Sequence, residues 1–247
     1  AQVDAWISPR WRAVAGVRAS RVNVQVNDQY ITPANPDDSG ARTWRHTSPV
    51  VGLVWSATDE LNLYANTGSG FETPTLSEMA YSPGNSGPNF GLSAARSRQW
   101  EVGAKWRSEH QQLDAVWFDT RSSSEIVPVE TVNGRSVFQN VDNVRRRGLE
   151  LSWRAQLQAW TPKVSYTYLD AYFGNAYTGA GATTVAAGNR LPGAAVHTAQ
   201  LSLDYAATPQ WRVGGTVNLT GAVFANDTNS ASAPGYATAG LHTGYQV

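Results

Sequence analysis

The feature of this sequence that most limits its fold is a strict alternation of apolar and polar residues. In the segment that begins at Gly148, apolar side chains recur at every second position and polar ones fall between them: Leu149, Leu151, Trp153, Ala155 and Leu157 against Glu150, Ser152, Arg154 and Gln156. Successive side chains of a β-strand point to opposite faces, so the segment predicts a strand with one apolar and one charged face. The same alternation recurs at 100–107, 199–205, 211–220 and 239–246, while helical periodicity is nearly absent. We therefore expect an all-β fold.

The predicted strands form a regular series. About eleven are expected, at 1–7, 11–26, 49–56, 61–70, 98–107, 112–120, 148–157, 163–171, 196–205, 211–220 and 236–247, with a possible continuation of the sixth through 126–129. Short turns fall near residues 9, 58, 109, 159 and 208, a spacing of about 50 residues. Long loops lie between them, at 27–45, 71–97, 174–193 and 226–234. Short turns on one rim and long loops on the other indicate an antiparallel up-and-down meander.

The polar face of such a meander could meet water, as in a soluble β-sandwich or a secreted β-solenoid, or it could line the lumen of a membrane barrel. Tryptophans favour the barrel, because six of them lie within about four residues of a short turn: Trp6, Trp11, Trp55, Trp106, Trp160 and Trp211. Aromatic belts form at membrane–water interfaces, whereas the tryptophans of a sandwich core lie in mid-strand. No run approaches the ~20 apolar residues of a membrane helix, so a membrane-spanning chain of this sequence is expected to be a transmembrane β-barrel.

Composition removes several classes of function. Acidic and basic residues balance at 19 each, which argues against a nucleic-acid partner. The chain has no cysteine, and its four histidines show neither metal-ligand spacing nor the surroundings of a nucleophilic serine. We therefore expect no metal site, no cofactor and no catalysis, although an outer-membrane hydrolase stays open as an alternative.

Recognition is expected in the long loops, where binding residues concentrate. The candidate ligand-binding residues are aromatics, amides and arginines of these loops and their rims: Tyr81, Asn89, Phe90, Arg145, Tyr172, Tyr177 and Arg190. Aromatic and amide groups suit a bulky, partly flat ligand, and guanidinium suits carboxylate or phosphate oxygens. The alternative is that the aromatics are ordinary loop or belt residues, and that Arg145–Arg147 are rim arginines bonded to lumen acids such as Glu150. The small residues of 178–188 predict mobility there.

Four motifs resemble one known family. They are the segment 61–78, with Leu63-Tyr64-Ala65-Asn66 and Phe71-Glu72-Thr73-Pro74-Thr75; the segment Phe138-Gln139-Asn140-Val141 with Arg147-Gly148-Leu149-Glu150-Leu151; the strand Ser165-Tyr166-Thr167-Tyr168-Leu169-Asp170-Ala171; and Gly188-Asn189-Arg190-Leu191-Pro192-Gly193 with His197-Thr198. In this order and spacing they resemble the TonB-dependent receptors of Gram-negative outer membranes.

The resemblance implies a barrel of 22 strands around an N-terminal plug domain. It implies a receptor that imports a chelated nutrient with energy from the TonB system, and a ferric siderophore is the expected nutrient. The implied partners are that ligand, outer-membrane lipid, the plug domain and TonB. About eleven strands is half the family's number, and a barrel with both termini in the periplasm needs an even number. We therefore expect residues 1–247 to be a single domain, the C-terminal part of such a barrel, without the plug domain and the closing C-terminal strands. A passive porin-like channel and a soluble β-domain used for adhesion remain alternatives.

Overall fold

The computed structural model describes residues 1–82, 87–132 and 134–246, which form seventeen strands. In chain order these are β1 (Gln2–Ser8), β2 (Trp11–Val26), β3 (Gly40–Ser56), β4 (Leu61–Glu72), β5 (Ala95–Arg107), β6 (Gln111–Ser123), β7 (Glu125–Val132), β8 (Arg135–Val141), β9 (Val144–Ala155), β10 (Trp160–Phe173), β11 (Tyr177–Thr178), β12 (Thr184–Val185), β13 (His197–Ala206), β14 (Trp211–Thr220), β15 (Val223–Phe224), β16 (Ser232–Ala233) and β17 (Tyr236–Tyr245). A 3₁₀ turn covers Ala180–Ala182. Within the described ranges, no helix has the length and hydropathy that would let it cross a bilayer.

Eleven of the strands form one antiparallel sheet in the order β1-β2-β3-β4-β5-β6-β9-β10-β13-β14-β17. Each strand pairs with the next long strand along the chain, so the predicted up-and-down meander and its strand number are confirmed. The strands β1 and β17 each pair with one neighbour, and the sheet is not closed within the described residues. The remaining strands form three small hairpins, β7–β8, β11–β12 and β15–β16, inside the long connections.

The short connections join the sheet strands at the positions predicted from the sequence. Two of them use the same local device, in which a threonine hydroxyl accepts the N–H three residues later. Thr58 Oγ1 accepts from Leu61 N at 3.0 Å, and Thr208 Oγ1 accepts from Trp211 N at 2.9 Å. Such side-chain bonds close a tight turn without help from the rest of the fold, which explains why the sequence reveals these turns.

The strand β3 begins nine residues before the predicted start at 49. It pairs with β2 as far as Val26 and Gly40, so the two strands form a long hairpin that extends past the rest of the sheet. Pairing of β3 with β4 begins only at Val50. Pro49 therefore lies where β3 has a neighbour on one side only, a position that tolerates a residue without an N–H. The predicted loop at 27–45 shortens accordingly to 27–39.

The region between β6 and β9 also differs from the prediction. The continuation at 126–129 belongs to the separate strand β7, because Ser124 adopts a positive φ of 55° and ends β6. No strand was predicted between 129 and 148, but Arg135–Val141 forms β8 and pairs with β7. The strand β9 begins at Val144, four residues before the predicted Gly148. The long connection is thus a structured hairpin standing on the sheet.

The pairing register sorts the two faces of the sheet. One row across six neighbouring strands is wholly apolar: Leu113, Trp153, Val164, Leu201, Val217 and Ala239. The adjacent row is wholly polar: Asp114, Ser152, Ser165, Gln200, Asn218 and Thr238. The apolar row stays exposed, as at Leu201 with 43%, which fits a face that meets lipid. We call the apolar face the outward face and the polar face the inward face.

Five of the six predicted belt tryptophans lie on the outward face near the short turns, and Trp11 stacks on Trp55 with ring centroids 5.7 Å apart. Trp6 is the exception. It pairs with Arg12 and shares the inward face with Asp4, so the prediction was wrong for this residue. Proximity to a turn does not determine the face; the parity of the position along the strand does.

Candidate functional site

The buried core of the described structure lies on the long-loop side of the sheet. One cluster surrounds Trp44, Met79 and Leu92, which are 6%, 2% and 2% exposed. Trp44 lies on β3, and its Nε1 donates to the carbonyl of Leu92 at 3.3 Å. Val22 and Val24 on the inward face of β2 pack against the same cluster. The long loop between β4 and β5 is thereby folded onto the inward side of the β2–β3 hairpin.

Asn140 on β8 joins this first loop to the β7–β8 hairpin. Its Oδ1 accepts from Ser93 N at 2.8 Å, and its Nδ2 donates to the carbonyls of Ser93 at 2.9 Å and of Ser124 at 2.7 Å. Asn89 adds a second link, since its Nδ2 donates to the carbonyl of Phe138 at 3.2 Å. Side-chain amides, and not backbone pairing as in a sheet, therefore hold the β4–β5 connection to the β6–β9 connection.

A second buried cluster ties the hairpin to the connection between β10 and β13. It contains Val127, Val141, Val144, Phe173 and Val185. Gln139 Nε2 donates to the carbonyl of Thr178 at 2.8 Å across the same junction. The small-residue stretch at 178–188, predicted to be mobile, is anchored at Val185, which is 1% exposed. Burial of one β-branched side chain in a neighbouring cluster is a tertiary effect that composition does not reveal.

We call the four long connections, β4–β5, β6–β9, β10–β13 and β14–β17, the loop layer. The connection between β14 and β17 is bonded to the one between β10 and β13. Tyr177 Oη donates to the Asp227 carboxylate at 2.7 Å, and Asn229 bonds the main chain of Arg190 in both directions, at 2.7 and 2.9 Å. Asn189 Nδ2 also donates to the carbonyl of Asp227 at 2.9 Å. Burial raises the pKa of the Tyr177 hydroxyl above its usual range. The hydrogen bond to the Asp227 carboxylate and the negative charge of that carboxylate raise this pKa further.

The last three of these connections line an open cavity of about 800 Å³, which we call the loop cavity. Apolar walls come from Ile126, Val127, Phe173, Val185 and Leu191, and polar or acidic groups come from Glu130, Asn226, Asp227, Thr228 and Ser230. Its volume lies within the roughly 300–1,000 Å³ range of small-molecule sites, and a few polar groups on apolar walls is the usual composition of such sites. The cavity can therefore hold a medium-sized organic ligand or metal complex.

The three consecutive arginines at the start of β9 each have an acidic partner. Arg145 binds Asp119, Arg146 binds Glu125, and Arg147 Nη2 lies 2.9 Å from Asp170. Each arginine has an acidic partner as expected, but the expectation of lumen acids was wrong for Arg145 and Arg147, and Glu150 is not one of the partners. Alternation along β9 places Arg145 and Arg147 on the outward face, where the register brings Asp119 and Asp170 beside them.

The seven predicted ligand-binding residues fall into separate environments. Asn89 and Phe90 pack in the first loop, and the Tyr81 ring lies 4.9 Å from the Arg135 guanidinium. Tyr177 and Arg190 are brought together through residues 227–229. Tyr172 lies under the Arg147 guanidinium at 5.8 Å, and Arg190 approaches Asp170 at 3.4 Å. Arg145 lines a second cavity, separate from the loop cavity, that opens on the outward face.

Sequence reasoning passed over Asn140, Asp227 and Asn229, which hold the loop layer together. The signal for the last two was present, because 226–230 is a run of Asn, Asp, Thr and Ser that bonds readily to backbone groups. Asn140 gave no such signal, since its partners are 47 and 16 residues away. In the part of the chain that the structure describes, no group of three or more His, Cys, Asp or Glu side chains could hold a metal ion.

Comparison with known proteins agrees with this architecture. The family model described as TonB dependent receptor-like, beta-barrel matches residues 1–247. The vitamin B12 transporter BtuB of Photobacterium profundum is 32% identical over 137 residues, which are 52% of this chain and 21% of BtuB. The metal-pseudopaline receptor CntO of Pseudomonas aeruginosa is 24% identical over 245 residues, 96% of this chain and 33% of CntO. The chain thus spans a third or less of the length of these relatives.

Solved structures show the same fold. The copper transporter OprC superposes with a TM-score of 0.80 at 19% identity, over 100% of this chain and 39% of OprC. The siderophore receptor PiuA of Acinetobacter baumannii gives a TM-score of 0.78 at 19% identity, over 99% of this chain and 36% of PiuA. The short turns are accordingly periplasmic and the loop layer is extracellular. The chain belongs to the TonB-dependent receptor-like β-barrel family, which is located in the outer membrane of Gram-negative bacteria.

Proposed function

We propose that the chain is part of an outer-membrane receptor that imports a chelated nutrient, first of all a ferric siderophore, with energy from the TonB system and without chemistry on the cargo. The proposal treats residues 1–247 as one domain, the C-terminal part of a barrel whose plug domain and closing strands lie elsewhere in the full-length protein. The names of its relatives support a metal complex as cargo, since they include a vitamin B12 transporter, a metal-pseudopaline receptor and a ferric yersiniabactin uptake receptor.

The observation that carries the proposal is the loop layer at the extracellular end of the sheet. Loops that only connect strands need few long-range bonds, whereas these connections are joined to one another by Asn89, Asn140, Tyr177 and Asn229. Ordering them costs conformational entropy, and a preformed cavity lowers the entropy lost when a ligand binds. A cavity of about 800 Å³ in that layer fits a first docking site for a chelate.

The residues that line the loop cavity limit the kinds of chelate that it could bind. Its apolar walls suit the organic rim of a chelate, and the groups at 226–230 supply acceptors and donors for amide, hydroxyl or catechol groups. Among the predicted residues, Tyr177 and Arg190 would then shape the cavity by fixing this segment, while Tyr81, Asn89 and Phe90 would fix the first loop. Arg145 and Tyr172 lie on outward positions of the strands, so we propose that they support the rim.

Growth on single iron sources tests the proposal. The full-length receptor is expressed in a strain that lacks its own siderophore receptors, and growth is measured on a panel of ferric siderophores, with and without a functional TonB. We expect growth on at least one ferric siderophore, and only with TonB. Equal growth without TonB would identify a passive channel, and growth on no ferric siderophore would reject that cargo.

An acid-to-amide change inside the loop cavity tests the site itself. Asp227→Asn keeps the size of the side chain but removes the charge that accepts the Tyr177 hydroxyl. The Asn oxygen still accepts the hydroxyl, but a charge-assisted bond of about 1.5–3 kcal/mol becomes a neutral one of about 0.5–1.5 kcal/mol, which loosens the segment 226–230 and removes a charge from the cavity. The loss of about 1 kcal/mol predicts a roughly fivefold loss of affinity for the imported chelate. Asp59→Asn, in the periplasmic turn between β3 and β4, is the matched control and should leave affinity unchanged. Equal affinities for all three proteins, measured by quenching of tryptophan fluorescence, would remove the loop cavity from the binding path.

A further inference from the structure

A second large cavity, of about 1030 Å³, opens on the outward face and has no part in the proposed transport path. We call it the outer basic cavity. Four arginines line it, Arg96, Arg98, Arg121 and Arg145, together with two aspartates, Asp119 and Asp142. Its formal charge is therefore +2, with His46 neutral, although the formal net charge of the whole chain is zero.

The pairing register puts two of these arginines directly opposite each other. Arg98 on β5 faces Arg121 on β6, and like charges in a cross-strand pair are destabilising. Asp119 provides the nearest compensation, but its carboxylate is shared between Arg121, at 3.4 Å, and Arg145. Neither Arg96 nor Arg98 has a salt-bridge partner among the described residues. In the lining of this cavity, arginines therefore outnumber aspartates by four to two.

The same cavity has an apolar half. Next to the arginines along β5 and β6 come Trp100, Val102 and Trp117, which are 54%, 53% and 47% exposed. Val102 and Trp117 form a cross-strand pair on the outward face, one step closer to the periplasm than Trp100 and Asp119. A ligand that filled the cavity would therefore meet guanidinium groups at its extracellular end and apolar rings at the other.

The height of the arginines matches the outer boundary of the membrane. Trp106 marks the periplasmic belt, and Arg96 lies ten positions away on the same strand and face. At about 3.3 Å per residue and a strand tilt of roughly 40°, that is about 25 Å along the membrane normal. The apolar band of an outer-membrane barrel is also about 25 Å tall. Arg96 thus lies where lipid head groups begin, and Arg98, eight positions from Trp106, lies about 5 Å deeper, within reach of the head groups for a long side chain. Trp100 and Trp117 lie in the acyl-chain region.

From this arrangement we propose that the outer basic cavity binds the phosphorylated head group of an outer-leaflet lipid. The guanidinium groups of Arg98 and Arg121 hold the phosphate, since one guanidinium donates two parallel hydrogen bonds to two phosphate oxygens. The negative phosphate between the two arginines offsets their mutual repulsion. One acyl chain of the same lipid lies against Trp100, Val102 and Trp117. The inference rests on the outer-membrane location and does not depend on the imported cargo, since the outer basic cavity and the loop cavity share no lining residue.

Lipid binding by the full-length receptor in detergent tests the inference. Native mass spectrometry measures binding of bisphosphorylated lipid A, of lipid A stripped of its phosphates, and of inorganic phosphate alone. We expect the phosphorylated lipid to bind about tenfold or more tightly than the stripped lipid, and more tightly than free phosphate. Equal binding of the two lipids would overturn the proposal, and free phosphate binding as tightly as the phosphorylated lipid would overturn the role of the acyl chain.

Paired variants locate the site. R98Q/R121Q should weaken the phosphorylated lipid about tenfold or more and leave the stripped lipid unchanged. The control R107Q/R154Q removes two arginines from the inward face at the periplasmic ends of β5 and β9 and should change neither. Heat-modifiable migration on gels shows which variants have folded. If R98Q/R121Q does not fold, R98K/R121K keeps the charge but loses paired phosphate bonding, and it should show a smaller loss. Equal losses in the outward and inward variants would refute the site.

Discussion

Asn140 should control how firmly the first extracellular loop is held. The change Asn140→Ala removes three hydrogen bonds, of 2.7, 2.8 and 2.9 Å, and leaves the carbonyls of Ser93 and Ser124 without these partners. Two of these bonds, both to Ser93, hold the first loop, and the third stays within the connection that carries Asn140. At about 1 kcal/mol for each net hydrogen bond, the closed first loop loses about 2 kcal/mol. Since about 1.4 kcal/mol is a factor of ten, the opening equilibrium should increase by roughly thirtyfold.

Hydrogen exchange measured by mass spectrometry on the full-length receptor reads this opening directly. The amide of Ser93 donates to Asn140, so peptides that contain it should exchange roughly thirtyfold faster in the variant. Peptides from β9 and β10 should be unchanged, because their protection comes from the barrel wall. Asn175→Ala is the matched control, since the Asn175 side chain accepts one bond, from Asn143 at 3.1 Å.

Unchanged exchange at Ser93 in Asn140→Ala would show that the apolar packing around Trp44 and Leu92 holds the loop without the amide. Faster exchange throughout the barrel would refute the reasoning in the opposite direction, because it would make Asn140 a determinant of the whole fold. Both outcomes are distinguishable from the local effect that the hydrogen bonds predict.

Two further predictions concern the barrel wall and the loop layer. Gly148→Val places a Cβ 2.1 Å from the carbonyl oxygen of Tyr168, so the variant should fail to give a heat-modifiable barrel, whereas Gly240→Ala, which has open space, should fold normally. The pKa of Tyr177 is raised, so the neutral hydroxyl is the form that the folded loop holds. Its contribution to loop stability is complete below its unfolded pKa of about 10 and is lost as pH rises through the higher folded pKa. The difference in phenolate absorbance between wild type and Tyr177→Phe should therefore develop only above pH 10, and development below it would contradict the bond to Asp227.

The regular part of the fold was predictable because its causes are local. Alternation fixes which residues of β9 share a face, and the side chains of Thr58 and Thr208 close their own turns. The error at Pro49 arose because the sequence shows a residue without an N–H but does not show that β3 has only one neighbour there. Similarly, Ser124 ends β6 through its backbone conformation, which the residue type does not announce.

The extracellular site was less predictable, since its bonds join residues far apart in the sequence. Ligand contact by Tyr177 stays a prediction, whereas the bond from its hydroxyl to Asp227, 50 residues away, was not predicted. Arg145 was expected at a rim, but the charge cluster that it shares with Arg98 and Arg121 exists only once β5, β6 and β9 lie side by side. The sequence of this protein by itself determined the meander, its two faces and the family, because strand periodicity and turn chemistry are local. Only the tertiary structure decided the loop layer and the two cavities, because bonds between distant residues form only when pairing of the strands has brought their loops together.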